Sequence, residues 1–277
     1  MSGYDISELE GNGKRFAFGE NWRRFLSVLD DDRIAEAERS LCEMLGVETL
    51  SGRTFLDVGS GSGLFSLAAM RLGADRVYSF DYDPQSVACT QELRRRYCPH
   101  DERWTIEQGS ALDRGYLASL GTWDIVYSWG VLHHTGDMWR ALGNVVPLVR
   151  DGGILFISIY NDQGQPSHYW RRIKRIYNGG ERGRRLIIGI MLPYTIARSF
   201  VGDLLKRQNP LRRYRAYRQS RGMSFLHNMY DWLGGYPFEV AKPDKIFDFY
   251  RVRGFTLARL VTVNSGYGCN EFVFERR

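Results

Sequence analysis

The chain has 277 residues, 43% of them hydrophobic and 25% charged, a balance that excludes a disordered or fibrous polymer and suits one domain with an elaboration or two small domains. No apolar run reaches the ~20 residues a bilayer crossing needs. The net charge of +6 conceals two opposed regions: Trp170–Gly222 holds 15 basic and 2 acidic residues, a local balance of +13, and the remainder sums to −7.

In chain order, the opening MSGYDISELEGNGKR lacks the basic-then-apolar order of a secretory leader. Phe18, Trp22 and Phe25 then share one helical face, as core packing or as a lid over a ligand. Ile34, Ala37, Leu41 and Leu45 have the spacing of an amphipathic helix. FLDVG, VYSFD, WTIEQGS, DIVYSW and GGILFISIY read as five strands, and GLFSLAAMRLG, PQSVACTQELRRR and MWRALGNVVPLV as the helices between them. PDKIFDFYRVRG predicts a last helix, and TLARLVTV and NEFVFER predict two closing strands. Strands alternating with helices of this length imply a parallel sheet covered on both faces. Four regions follow: an N-terminal helical segment or lid (1–50), a core (51–161), a basic helical insertion (162–241), and a closing helix with two strands (242–277).

Cys42, Cys89, Cys98 and Cys269 are scattered without a CxxC pair, which suits reduced thiols in a cytoplasm and predicts no metal site. The richest stretch is LDVGSGSGLF, where Gly59, Gly61 and Gly63 alternate directly after a strand. Glycine there admits a ligand close to the backbone. Asp81, about 20 residues further on at the end of the next strand, is placed to take both hydroxyls of a ribose, or to cap the helix ahead of Pro84. Neither GxGxxG nor GxxxxGK[ST] is present, so the dinucleotide and P-loop fingerprints both fail.

FLDVGSGSG, VYSFDYDP, IEQGSALD and DIVYSWGVLHH, in that order, resemble the class I methyltransferases that use S-adenosylmethionine, over Phe55 to Asn161 and the closing strands. The resemblance implies a Rossmann-like seven-stranded sheet with helices on both faces and a helical cap insertion between the fifth strand and the last helix. It places Gly59 and Gly61, with Ser60 and Gly63, against the methionine part of S-adenosylmethionine. Asp57 would lie near the ammonium group, Asp81 on the ribose, Tyr82 beside the adenine and Ser110–Ala111 at its edge, with Trp129 a further cofactor contact. Many relatives carry Asp where Ser110 stands. GSGLFSLAAMRLGADRVYSFDYDPQSV is also similar to the cofactor pattern of a ribosomal-protein methylase, although only about 50 residues precede the sheet.

His133 and His134 fill the segment that reads roughly VLxH in small-molecule enzymes of the ubiquinone-methylase type. A hydroxyl acceptor needs a proton sink, and imidazole suits that task. The pair is thus a candidate base, a structural pair being the alternative. Asp137, Tyr160 and Asn161 at the same rim are candidate acceptor contacts. SWGV stands where amino-methylating relatives often carry an NPPY-type signature, which favours oxygen or carbon acceptors. Asp231, Trp232, Tyr236 and Glu239 in DWLGGYPFE form a pocket wall or a plain loop.

The 12 uncharged residues Leu186 to Ala197 lie between Arg185 and Arg198, and Pro193 within them predicts two short helices with a kink. The basic segment faces either a lipid or phosphate surface or the acidic remainder of the chain. The expectation is methylation of a small or lipid-linked acceptor, with possible peripheral membrane contact and no nucleic-acid-binding module readable. The rivals are an RNA or protein methyltransferase, and a non-catalytic cofactor-binding partner protein.

Overall fold

A computed structural model of the chain describes residues 22–23, 25–205, 233–264 and 268–277, with only the backbone at 196, 198, 199 and 201–205. The chain divides into two compact units, one of Ala17–Gly164 with Glu239–Arg277, the other of Met1–Phe16 with Gln165–Phe238.

The larger unit is built on seven strands: β1 (Thr54–Val58), β2 (Arg76–Asp81), β3 (Trp104–Gln108), β4 (Trp123–Trp129), β5 (Val149–Tyr160), β6 (Phe255–Val261) and β7 (Cys269–Arg276). They lie in the order β3-β2-β1-β4-β5-β7-β6. β1 to β5 pair in parallel, and β7 runs antiparallel between β5 and β6. This is the Rossmann-like seven-stranded sheet that the resemblance implied.

The helices of this unit are α1 (Asp31–Leu45), α2 (Leu64–Arg71), α3 (Pro84–Tyr97), α4 (Arg114–Ser119), α5 (Met138–Val145) and, following the insertion, α8 (Pro243–Arg251). Their ends are written locally. Asp30 accepts from Arg33 N at the start of α1, and Gly46 closes that helix at φ 67°. Asp83 accepts from Gln85 N ahead of Pro84 at the start of α3. Ile34, Ala37, Leu41 and Leu45 bury the predicted stripe of α1 with Leu67, Leu93 and Tyr127, on one face of the sheet. The opposite face packs Leu117, Met138, Ala141, Ile246 and Tyr250 over Val126, Leu155 and Phe274. α4, with only the six residues RGYLAS, gave no periodic signal in the sequence.

The smaller unit contains α6 (Gln165–Asn178) and α7 (Glu181–Leu205), joined through a cluster of Tyr177, Ile187 and Leu233 with Trp170, Ile188 and Met191. Arg171 Nε donates to Phe238 O at 3.2 Å and Asn178 Nδ2 donates to Gly234 O at 3.0 Å, so α6 holds the 233–238 segment by both ends. α7 corrects the expectation of two short helices, because it runs continuously through Pro193. Proline leaves the carbonyl four residues earlier without its donor and crowds it. Here that carbonyl belongs to exposed Gly189, which has no side chain and faces solvent.

Candidate active site

In this sheet order the reversal of direction falls between β1 and β4, and in sheets of this kind ligands bind beyond the carboxyl ends of those strands. The loop after β1 turns through Gly59, Gly61 and Gly63 at φ 85°, 56° and 80°, a region that side-chain-bearing residues rarely adopt. A Cβ on Gly59 would stand 2.4 Å from Val131 Cγ1, so the loops after β1 and β4 touch through a glycine. A Cβ on Gly61 would meet the Trp22 ring at 2.9 Å, which places the N-terminal aromatic stripe against the glycine loop. Phe18 of that stripe lies outside the described residues.

Asp81 closes β2 with both carboxylate oxygens already oriented. Gly61 N donates to Oδ2 and Asp83 N to Oδ1, each at 2.9 Å. The Tyr82 backbone also donates to this carboxylate, which leaves it part of its acceptor capacity for a hydroxyl. Burial pushes the Asp81 carboxyl up to about 6, against the pull of those backbone donors. The capping alternative for this residue belongs instead to Asp83, the N-cap of α3. Beside it, the Tyr82 ring is 57% exposed.

Asp57 faces inward. Its Oδ2 accepts from Ser66 Oγ at 2.5 Å within the layer between sheet and helix, and burial first, then the Asp81 charge, pushes its carboxyl up to about 7. Ser60 Oγ pairs with Thr90 Oγ1 at 3.0 Å, tying the glycine loop to α3. Ser110 Oγ accepts from Leu112 N at 3.2 Å, while the Ala111 carbonyl accepts from Asn144 Nδ2 at 3.0 Å.

The loop after β4 makes a single 3₁₀ turn, Leu132–His134. His133 is buried and His134 half-buried, with ring centroids 4.5 Å apart. The Tyr160 ring stands 4.2 Å from His133 and edge-on to His134 at 5.4 Å. Burial pushes the Tyr160 phenol up, so it stays protonated through the neutral range. Glu239 clasps this turn: its N–H donates to His133 O, and its Oε2 accepts from Met138 N, both at 3.0 Å.

Other expected contacts have local duties. Asp137 caps α5, accepting from Arg140 N at 3.4 Å. Asn161 donates to Asn264 O at 2.9 Å and accepts from Asn270 Nδ2 at 3.1 Å, fastening Asn264 and the start of β7 to the end of β5. Trp129 turns away from β1, and its Nε1 donates to Glu271 Oε1 on β7 at 3.1 Å. Tyr236 belongs to the smaller unit, and Asp231 and Trp232 lie outside the described residues. Sequence reasoning missed Glu271, whose single signal was strand alternation opposite Phe272. Among the described residues no group of three His, Cys, Asp or Glu is placed to hold a metal.

The residues present fit S-adenosylmethionine: a left-handed glycine turn after β1, a half-buried oriented carboxylate for a ribose, and an exposed aromatic ring next to it. Residues 56–155 match the family described as "Methyltransferase domain". The ribosomal protein L11 methyltransferase of Azotobacter vinelandii is 43% identical over 120 residues, covering 43% of this chain and 38% of the relative. That of Alteromonas mediterranea is 42% identical over 62 residues, covering 19% and 21%. The chain therefore spans well under half the length of these curated relatives. Magnesium protoporphyrin IX methyltransferase of Synechocystis PCC 6803, solved with bound SAM, shares the fold at TM-score 0.57 and 13% identity over 100% of both chains. PKMT2 of Rickettsia typhi, in complex with AdoHcy, does so at TM-score 0.58 and 12% identity, over 87% of this chain and 52% of that one. Residues 56–155 are thus a methyltransferase domain, and the glycine turn, the β2 acid and the strand order around them are those of the class I S-adenosylmethionine-dependent type.

Proposed function

We propose that the chain methylates an oxygen of a small or lipid-linked acceptor, with His134 as the group that takes the acceptor's proton. The observation that carries this reading is the His133–His134–Tyr160 cluster at the carboxyl ends of β4 and β5. S-adenosylmethionine, when bound, supplies a methyl group on a sulfonium that needs no further activation. What remains for the protein is alignment and proton removal. His134 is the half-buried member of the pair, and its remaining exposed surface is what favours it over His133 as the base. His133 lies beneath it, its carbonyl held by the Glu239 N–H. Asp81 anchors the ribose, and the contact of Gly59 with Val131 sets the spacing between cofactor loop and acceptor loop.

A second reading has its own support: curated relatives that match part of the chain are named ribosomal protein L11 methyltransferase. Methyl-labelled cofactor incubated with the protein and fractionated cell extract separates the two. Label in the lipid or small-molecule fraction supports the first reading, and label in the protein or RNA fraction overturns it. Tight cofactor binding with no label anywhere identifies a non-catalytic binding protein. In the labelled fraction, His134→Asn should lower turnover by ~10²–10⁴-fold with cofactor affinity unchanged. Unaltered turnover rules out His134 as the base.

A further inference from the structure

α7 is apolar on two sides, and only one of them is packed. Ile187 is buried, and Ile188, Met191 and Leu192 are half-buried in the cluster against α6. Leu186, Ile190 and Tyr194, one turn apart along the other side, are 57%, 57% and 56% exposed, and Phe200 further along is 54% exposed. Pro193, Gly189 and Ala197 are exposed as well, so small and apolar groups fill the gaps in the stripe. A helix apolar all round is ordinarily buried in a core or in lipid, and a contiguous exposed apolar patch marks an interface. No helix among the described residues is long and apolar enough to cross a membrane.

The charges at the start of α7 say what the stripe faces. Glu181, Arg182, Arg184 and Arg185 are four of the first five residues, all exposed. Three guanidiniums at a helix N-terminus oppose the helix dipole, which favours acids there, so they do not serve the helix itself. Arg185 is bonded to Glu181 at 3.1 Å and Arg184 lies over the Tyr177 ring at 5.6 Å, which keeps this cluster in place with a net positive charge. Guanidiniums at one end of an aliphatic stripe match the two layers of an anionic bilayer surface, headgroup phosphate above and acyl chain below. A second copy of the chain fits less well, because stripe-to-stripe packing would bring like charges of both copies into one interface. Single-stranded nucleic acid is read by aromatic stacking surfaces, whereas this stripe is led by Leu186 and Ile190.

We propose that the outer face of α7 is a peripheral membrane-docking surface: Leu186, Ile190, Tyr194 and Phe200 enter the acyl boundary of an anionic bilayer while Arg182 and Arg185 meet its phosphates. The proposal stands on the surface of α7 and is independent of the acceptor and of the catalytic reading.

The full chain is sedimented with phosphatidylcholine vesicles and with mixed phosphatidylcholine–phosphatidylglycerol vesicles, at low and high salt. The protein should partition onto the anionic vesicles at least tenfold more than onto the neutral ones, and less so at high salt. Leu186→Ser, Ile190→Ser and Tyr194→Ser together should cut that partition at least tenfold with cofactor affinity unchanged. Arg182→Ser with Arg185→Ser should remove most of the salt-sensitive part. If circular dichroism shows that the triple variant misfolds, Ile190→Glu alone carries the same expectation. Failure of the parent to sediment with either vesicle overturns the proposal, as does a folded stripe variant that sediments like the parent. A parent dimer in sedimentation equilibrium that the stripe variant dissociates also overturns it, and assigns the face to a second copy.

Discussion

The indole N–H of buried Trp104 donates to Ser79 Oγ at 2.8 Å, and that one bond sets the direction of a chain of hydrogen bonds across the unit. An indole only donates, so Ser79 spends its own proton on Ser66 Oγ at 2.7 Å. Ser66 in turn donates to Asp57 at 2.5 Å. Four residues from β3, β2, α2 and β1 are thereby ordered through an otherwise apolar layer, ending at the acid that opens the glycine loop. Buried polar groups of this kind are costly to leave unpaired. Ser79→Ala should strand the Trp104 donor and the Ser66 proton acceptor together. A loss of about 1–3 kcal/mol in urea unfolding is expected, and Ser79→Thr should recover part of it. An unchanged midpoint would show that the chain contributes nothing to stability.

Asp57 and Asp81 should give the protein an inverted acid response in the absence of ligand. Burial raises both carboxyls, to about 7 and about 6, from an unfolded value near 3.8. The folded state therefore holds these protons more tightly than the unfolded one. Their stabilising contribution is full below about pH 4 and is lost as pH rises through 6 to 7. Other carboxylates act the opposite way, as Glu92 does, held near 2 by Arg95 and Arg96. The comparison must therefore be made between variants: thermal midpoints of Asp57→Asn should fall less steeply between pH 4 and 7 than those of the parent. Parallel curves would contradict the raised carboxyl.

Cofactor affinity should rest on Asp81. Each charge-assisted bond to a ribose hydroxyl contributes roughly 1.5–3 kcal/mol, so Asp81→Ala should weaken binding at least tenfold in calorimetry. The same substitution removes the acceptor for Gly61 N and Asp83 N, which makes Asp81→Asn the gentler control. Equal affinity in parent and Asp81→Ala would mean that the cofactor lies elsewhere.

Gly59→Ala should be worse than a loop substitution ordinarily is. The new methyl would stand 2.4 Å from Val131 at a backbone φ of 85°, so both a clash and a left-handed conformation are imposed. Adding Val131→Gly should return part of the lost stability and cofactor binding, because Cγ1, Cγ2 and the Cβ at 2.9 Å are all removed, while the φ cost of roughly 1–2 kcal/mol remains. No recovery in the double variant would show that Val131 is not the neighbour that matters.

Glu239→Ala should loosen the histidine turn without touching the cofactor. It removes the carboxylate that accepts from Met138 N at the start of α5, a capping role worth about 1 kcal/mol. Its backbone bond to His133 O survives, so the expected signature is reduced turnover with unchanged cofactor affinity. Glu239→Gln, which keeps an acceptor oxygen, should restore most of the loss.

The parts of this molecule legible in the sequence are those governed by local rules. The run from Asp57 to Gly63 announced a strand, a turn and a helix because glycine conformations and strand burial are written in neighbouring residues. α1 was legible from four apolar positions. Pro193 misled, because whether a proline breaks a helix depends on what its orphaned carbonyl faces, and that is a property of the packed unit. The sequence separated Asp81 from Asp83 only weakly, since two acids flanking Tyr82 compete for one cap and one ligand. The pairing of Trp129 with Glu271 joins residues 142 positions apart across an intervening strand, a relation that only sheet order reveals.

β7 follows every other strand in sequence yet lies inside the sheet, with β5 on one side and β6 on the other. On the ribosome, β6 thus emerges with no neighbour to pair with, and β5 presents a bare parallel edge until residues 269–276 arrive. Exposed edges of that kind recruit strands from other chains, so the window between the two events is when this protein is most open to aggregation and to chaperone capture. A chain interrupted before residue 269 would therefore keep a five-stranded sheet with β5 as a bare edge and β6 unpaired.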